Sequence, residues 1–266
     1  SGSRMKRIVT GLMGAALALP VHAAGSGIDY HLGGFLDVLY GGVNEAIPPV
    51  KSKFNTNGEL DLSASKGRLS GRVDTDFYLS NSVYYSAYPY AAYEGTSAVN
   101  TVPTGPNISG VFIEQAFLDW SINDSMSVDA GAFNSNLGWE KEDTVDLYQT
   151  SHGQIYNFFN AQTSMYGNNV AGAALNGHYQ NISGRVAMLN DLGDAQGKNS
   201  LLIQASADIV NGLNVAGSFV TQHAQAGNML DVNSTYRRGP LVVGGEFVTA
   251  EHLLNYGWGV TAHYDL

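Results

Sequence analysis

From position 254 to the C-terminus, every second residue is apolar or aromatic. Leu254, Tyr256, Trp258, Val260, Ala262, Tyr264 and Leu266 fall on one side, with Asn255, Gly257, Gly259, Thr261, His263 and Asp265 between them. A repeat of two is the repeat of a strand, whose successive side chains point to opposite faces. The segment 28–40 behaves alike: Ile28, Tyr30, Leu32, Leu36, Val38 and Tyr40 oppose Asp29, His31, Gly33 and Asp37. Between 66 and 80, Leu69, Val73, Phe77 and Leu79 share one face, while Arg68, Ser70, Arg72, Asp74 and Asp76 share the other. A helix would scatter those charges around its circumference. The pattern predicts β structure.

Segments 59–64, 126–132, 213–219 and 230–237 alternate in the same way, and 170–179, 182–189, 201–209 and 241–250 do so more weakly. Segment 111–120 reads as a strand whose two faces are mixed. Together these predict twelve strands. Their connections alternate in length: 41–57, 81–110, 137–169 and 190–200 are the longer ones, with short turns near 65–67, 121–125, 180–181, 210–212 and 237–240. Short turns at one end and long loops at the other mark an outer-membrane barrel. With the first strand running outward, the long loops lie outside and the twelfth strand ends in the periplasm.

Composition narrows the classes. The chain has 266 residues, 32 glycines, 14% charged residues and no cysteine, against roughly 25% charged residues in an ordinary soluble domain. No disulfide scaffold, thiolate zinc site or thiol chemistry is open to it. A net charge of −10 argues against a nucleic-acid partner. Lys6 and Arg7 precede an apolar run over 8–19, followed by Pro20 and Val21-His22-Ala23. That is the layout of a secretory leader with cleavage after Ala23, and the run is too short for a membrane helix. Ser1-Gly2-Ser3-Arg4, ahead of Met5, reads as a cloning remnant. The expected organisation is a remnant and leader over 1–23 and a barrel over 24–266. Loss of 1–23 takes three basic side chains from the net charge of −10 and leaves −13.

No later stretch is long and apolar enough to cross a bilayer as a helix, so a closed antiparallel barrel is the membrane structure still open. A secreted β-sandwich predicts the same local alternation. The glycine content and the aromatics at strand ends (Tyr30, Tyr40, Tyr78, Trp120, Tyr179, Tyr236, Tyr256, Tyr264) favour the barrel, whose aromatic girdles sit at the headgroups.

Gly34-Phe35-Leu36-Asp37-Val38-Leu39-Tyr40, Gly71-Arg72-Val73-Asp74-Thr75-Asp76-Phe77 and Ile113-Glu114-Gln115-Ala116-Phe117-Leu118-Asp119-Trp120 carry a resemblance, as does the stretch from Asp129 to Glu140. Together they resemble the OmpL-like β-barrel porins of Gram-negative outer membranes. Members of that family are commonly longer, and barrels usually end in phenylalanine where this chain has Leu266. The resemblance therefore fits a twelve-strand barrel or part of a larger one. It implies a transmembrane up-and-down β-barrel and a porin.

Chemistry gives no competing signal. There is no Gly-x-Ser-x-Gly elbow and no His-Glu-x-x-His pattern, and His31, His178 and His263 share no ligand spacing. The stretch 191–197 lacks the acidic twelfth ligand of a calcium loop and reads as a turn. No metal, cofactor or catalytic residue is expected, and the chain is not expected to be an enzyme. The tyrosines at 84, 85, 88, 90 and 93 read as a loop folding onto the barrel mouth, and the acids from Glu140 to Asp146 as solvated surface.

The expected function is passive diffusion of small polar solutes or ions through an outer-membrane, porin-like channel, with membrane lipid as its other partner. The alternative is a non-conducting barrel that acts through its surface loops as an adhesin, structural protein or enzyme. The candidate pore-lining residues are Arg68, Arg72, Asp74, Asp76, Arg185, Asp231, Arg237 and Glu246. Acids outnumber arginines on the polar faces, so a weak cation preference is expected.

Overall fold

A computed structural model of the chain describes residues 10–16, 19–22, 27–43, 50–80, 108–140, 153–163, 168–190, 192, 198–223 and 226–264. Its strands are β1 (Thr10–Ala16), β2 (Leu19–His22), β3 (Asp29–Val43), β4 (Val50–Lys66), β5 (Leu69–Ser80), β6 (Ile108–Asn123) and β7 (Met126–Asn134). After one helix, α1 (Gln154–Gln162), come β8 (Asn169–Tyr179), β9 (Ile182–Asn190), β10 (Asn199–Val210), β11 (Leu213–Val220), β12 (Met229–Arg238), β13 (Leu241–Ala250) and β14 (Gly257–Tyr264). From β3 onward these are the twelve expected strands, antiparallel and running up and down in chain order. The fold class is the one that the alternation predicts. Among the described residues the series is open at β14.

Four details differ from the expectation. The connection predicted over 41–57 is shorter, because β4 already begins at Val50; only Val50 and Phe54 are strongly apolar there, so the alternation is faint. The last strand begins at Gly257 rather than Leu254, after a turn in which Ala250 N–H bonds Leu254 O. The connection predicted over 137–169 contains α1. Within the predicted leader, β1 and β2 pair with β3. The tyrosines of 84–93, the acids after Glu140 and most of 191–197 lie outside the described residues.

The chain divides into two compact units, one of residues 1–63 and 74–113, the other of 64–73 and 114–266. In the first, Leu36, Leu60 and Leu62 are exposed while Glu59 and Asp74 are buried. The second unit repeats this inversion strand after strand. Leu175, Val186, Ile203, Phe219 and Leu230 pair across five strands as one row, each between 39% and 49% exposed. Their neighbours along each strand point to the opposite face, where polar side chains lie. On β14, Trp258, Val260 and Tyr264 are exposed, while Gly257, Gly259, Thr261 and His263 face away. The structure also orients β6, whose reading was mixed: Leu118 and Trp120 lie on the exposed face, and Phe117 turns inward to meet Phe133 edge-to-face at 6.4 Å.

Candidate functional site

The polar face of the second unit is layered, and the ladders give the layers directly. One row, nearest the long connections, is Ala174, Ala187, Leu202, Val220, Met229 and Ala250, on β8 to β13, all buried. Two residues along each strand, toward the short turns, the row becomes Asn176, Arg185, Gln204, Ser218 and Asp231. Two further on lie Ser183, Ser206, Ala216, Asn233 and Glu246. The face thus has an apolar band at one end and a polar band at the other.

Each band has an occupant. Leu137 and Phe159 join the apolar row in a single core with Phe133, Leu192 and Ala226. Phe159 comes from α1, in which Ile155, Phe158 and Phe159 recur at helical spacing and Tyr156 and Phe159 are buried. Helix formation here is driven by that apolar side, because an isolated nine-residue helix is marginal in water. Glu140 accepts the Gly153 N–H at the start of the helix, at 2.9 Å to Oε2.

Ahead of α1, residues 134–139 form a strap across the polar band. Arg185 Nη1 donates to Asn134 O at 3.1 Å, and Gln204 Nε2 to Asn136 O at 2.9 Å. The Gly138 backbone bonds Asp231, Trp139 N–H donates to Glu246 Oε1 at 2.8 Å, and Trp139 Nε1 donates to Thr235 Oγ1 at 2.6 Å. Gly138 has φ of +85°, which favours glycine, and a Cβ there would meet Glu246 Oε1 and Phe159 at about 3 Å. The indole of Trp139 lies against Gly244, where any Cβ would overlap it. The strap is tied to four strands.

Between strap and wall is a cavity of about 940 Å³. Nine asparagines and glutamines, six serines, five acids and two arginines line it, so its chemistry is that of neutral hydrogen bonding with an acidic excess. Its central ionic contact is Arg185 Nη2 with Asp129 Oδ2 at 3.2 Å, both side chains close to buried. The same carboxylate oxygen accepts from Asn176 Nδ2 at 2.8 Å, and the guanidinium stacks over Phe133 with its carbon 4.5 Å from the ring centroid.

The predicted residues divide by position. Arg72 and Arg185 line the cavity. Asp231 and Glu246 are brought together by β12 and β13, within hydrogen-bonding reach of one another, and hold the strap. Arg68 lies at a short turn, bonding Ile122 O, and Arg237 is exposed at another beside Gly212. In the first unit, Asp74 is buried with carboxylate oxygens of Glu59 and Asp61 within 4.8 Å, and Asp76 is half-buried on the same face of β5. The reading of single strands had no means of finding the strap, Trp139 or Gln204; the spacing of Ile155, Phe158 and Phe159 was the available sign of α1.

The strap makes a direct prediction. Trp139→Ala removes the indole and its bond to Thr235, which loosens the strap over the polar band. Proteolytic cleavage within 134–139 of the detergent-folded protein is expected to speed up at least about twofold, since a segment with fewer ties opens more often. Gly244→Val is expected to act in the same direction, by displacing the indole.

No protein-family model matches the chain, and no curated protein matches it in sequence. Among solved structures it is similar to a triple mutant of the Rhodopseudomonas blastica porin, at 11% identity and a TM-score of 0.41, covering 97% of this chain and 90% of that one. A double mutant of the same porin is similar at 12% identity, with the same coverage and TM-score.

Proposed function

We propose that the chain is an outer-membrane β-barrel channel for passive diffusion of small polar solutes and ions, of the OmpL-like porin kind, exported by its 1–23 leader. Transport, not catalysis, is the proposed role. One observation carries this reading: the exposed face is the apolar one. Five large apolar side chains in one row stand exposed, while the row beside it, pointing the other way, is Asn176, Arg185, Gln204, Ser218 and Asp231. In water that arrangement is costly, at ~25 cal/mol per Å² of apolar surface left uncovered; in lipid it is the favourable one. The polar cavity supplies the water-filled side that a channel needs.

Planar-bilayer recording of the reconstituted protein tests the proposal. Discrete conductance steps are expected, with a weak cation preference, because five acids against two arginines line the cavity and acidic walls gather cations. The preference is expected to shrink as salt rises, the Debye length falling to ~3 Å at 1 M. An anion-directed reversal potential would refute the sign. Absence of any conductance would favour the second reading, a sealed barrel working through its loops, to which the strap across the polar face is the structural pointer.

A further inference from the structure

We propose that the cavity under the strap is a binding site for a neutral polyhydroxylated solute, of the size of a mono- or disaccharide. This rests on the channel reading and names the solute class of that channel.

The first argument is donor–acceptor balance. Each sugar hydroxyl both donates and accepts, as does each asparagine, glutamine and serine side chain. Nine amides and six serines line one cavity of about 940 Å³; many are bonded to one another or to backbone, and the donors and acceptors they keep besides are of the kind a polyhydroxylated solute needs, in a volume within the usual range for small-molecule sites. The ladders set these groups at one level across consecutive strands: Ser127, Asn176, Gln204 and Ser218 share a row, with Ser206 and Asn233 in the next. That spacing suits a chain of hydroxyls running along the wall.

The second argument is that the central ion pair of the cavity is already engaged. Arg185 is held by Asp129, by the Asn134 carbonyl and by the Phe133 ring, so it offers no free counter-charge to an anionic solute. Asp129 Oδ2 accepts from Arg185 and Asn176, and Glu140 accepts the Gly153 N–H. Gln204 and Ser218 form a donor–acceptor pair at 3.0 Å whose remaining lone pairs and hydroxyl are available to a ligand. Trp139, half-buried, adds aromatic surface at the strap side of the cavity, on which the apolar face of a sugar ring can stack.

Maltose is the probe, with a polyethylene glycol of matched hydrodynamic radius as comparison. In the reconstituted channel, rising maltose is expected to reduce the ion current along a saturating curve, while the glycol gives only the gradual, non-saturating fall of a more viscous medium. Gln204→Leu, and separately Asn214→Leu, whose amide lines the cavity near the β10–β11 turn and donates to Asp208 Oδ1 at 2.8 Å, are expected to raise the half-blocking concentration by roughly tenfold, the equivalent of losing about 1.4 kcal/mol of binding. Tryptophan fluorescence of the detergent-folded protein gives a readout that needs no conduction, because Trp139 borders the site. A saturable fluorescence change without conductance would support the site and overturn the channel. Conductance with identical, non-saturating responses to maltose and glycol, or saturation unmoved in both variants, would overturn the site and leave the channel standing.

Discussion

Arg185→Met is expected to destabilise the folded protein by about 3 kcal/mol, measured by urea titration of the refolded barrel in detergent. The substitution keeps an unbranched side chain but removes the guanidinium, which stacks over Phe133, and with it the cation of a side chain only 11% exposed. Asp129, 13% exposed, is then left with the Asn176 amide and with the Asp119 carboxyl of its cross-strand partner beside it. Breaking a buried pair by removing one member costs roughly 3–5 kcal/mol, because the other charge stays uncompensated. The adjoining polar cavity places the expectation at the lower end. Adding Asp129→Asn to Arg185→Met is expected to recover most of the loss, since an amide needs no counter-charge. A double variant as unstable as the single one would show that the guanidinium acts through packing and the Asn134 contact instead.

The fold was legible because its signal is local. Most of the strands from β3 to β14 follow from alternation within single segments, and the exposed face is the apolar side at Leu60 and Leu62 on β4, Leu69 and Val73 on β5, and Trp258 and Val260 on β14, while at the start of β3 Asp29 and His31 are the more exposed positions. Segment 111–120 resisted orientation for a physical reason. Val111, Phe112 and Ile113 are all exposed and Glu114 is buried, so alternation settles only nearer the turn, at Leu118 and Trp120.

The site was legible only in part, because its contacts cross strands. Nothing near position 185 announces Asp129; they meet because Asn176 pairs with Arg185 on one side and Ser127 on the other, which places Asp129 one step along the wall. Asp231 and Glu246 are pore-lining candidates by their place on the polar faces, and no single strand shows what they bond. They receive the backbone of Gly138 and Trp139 from a segment more than ninety residues away in sequence. A search for period two also passes over α1, whose apolar positions repeat at three and four.

Val186→Arg is expected to cost about 2–4 kcal/mol in a lipid-bilayer folding equilibrium, the range for a cation on the hydrocarbon-facing side of a barrel near its midplane. Val186 is 49% exposed, with Leu175 and Ile203 as its cross-strand partners, so the new charge gains no polar neighbour in its row. Arg185, the next residue, is tolerated because its side chain points the other way, into the polar cavity. The pair 185 and 186 therefore tests which solvent lies on which face. Ser206→Asn, on the polar face of the adjoining strand, is expected to change stability by less than about 0.5 kcal/mol. If the exposed face met water, an arginine at 186 would be a surface substitution of equally small effect. Both variants near zero would mean a water-facing sheet and would remove the membrane from the account. A large loss at 186 alone, disappearing when the same variant is folded in a shorter-chain lipid that no longer reaches its row, would fix the lipid side of the sheet and the depth of that row within it.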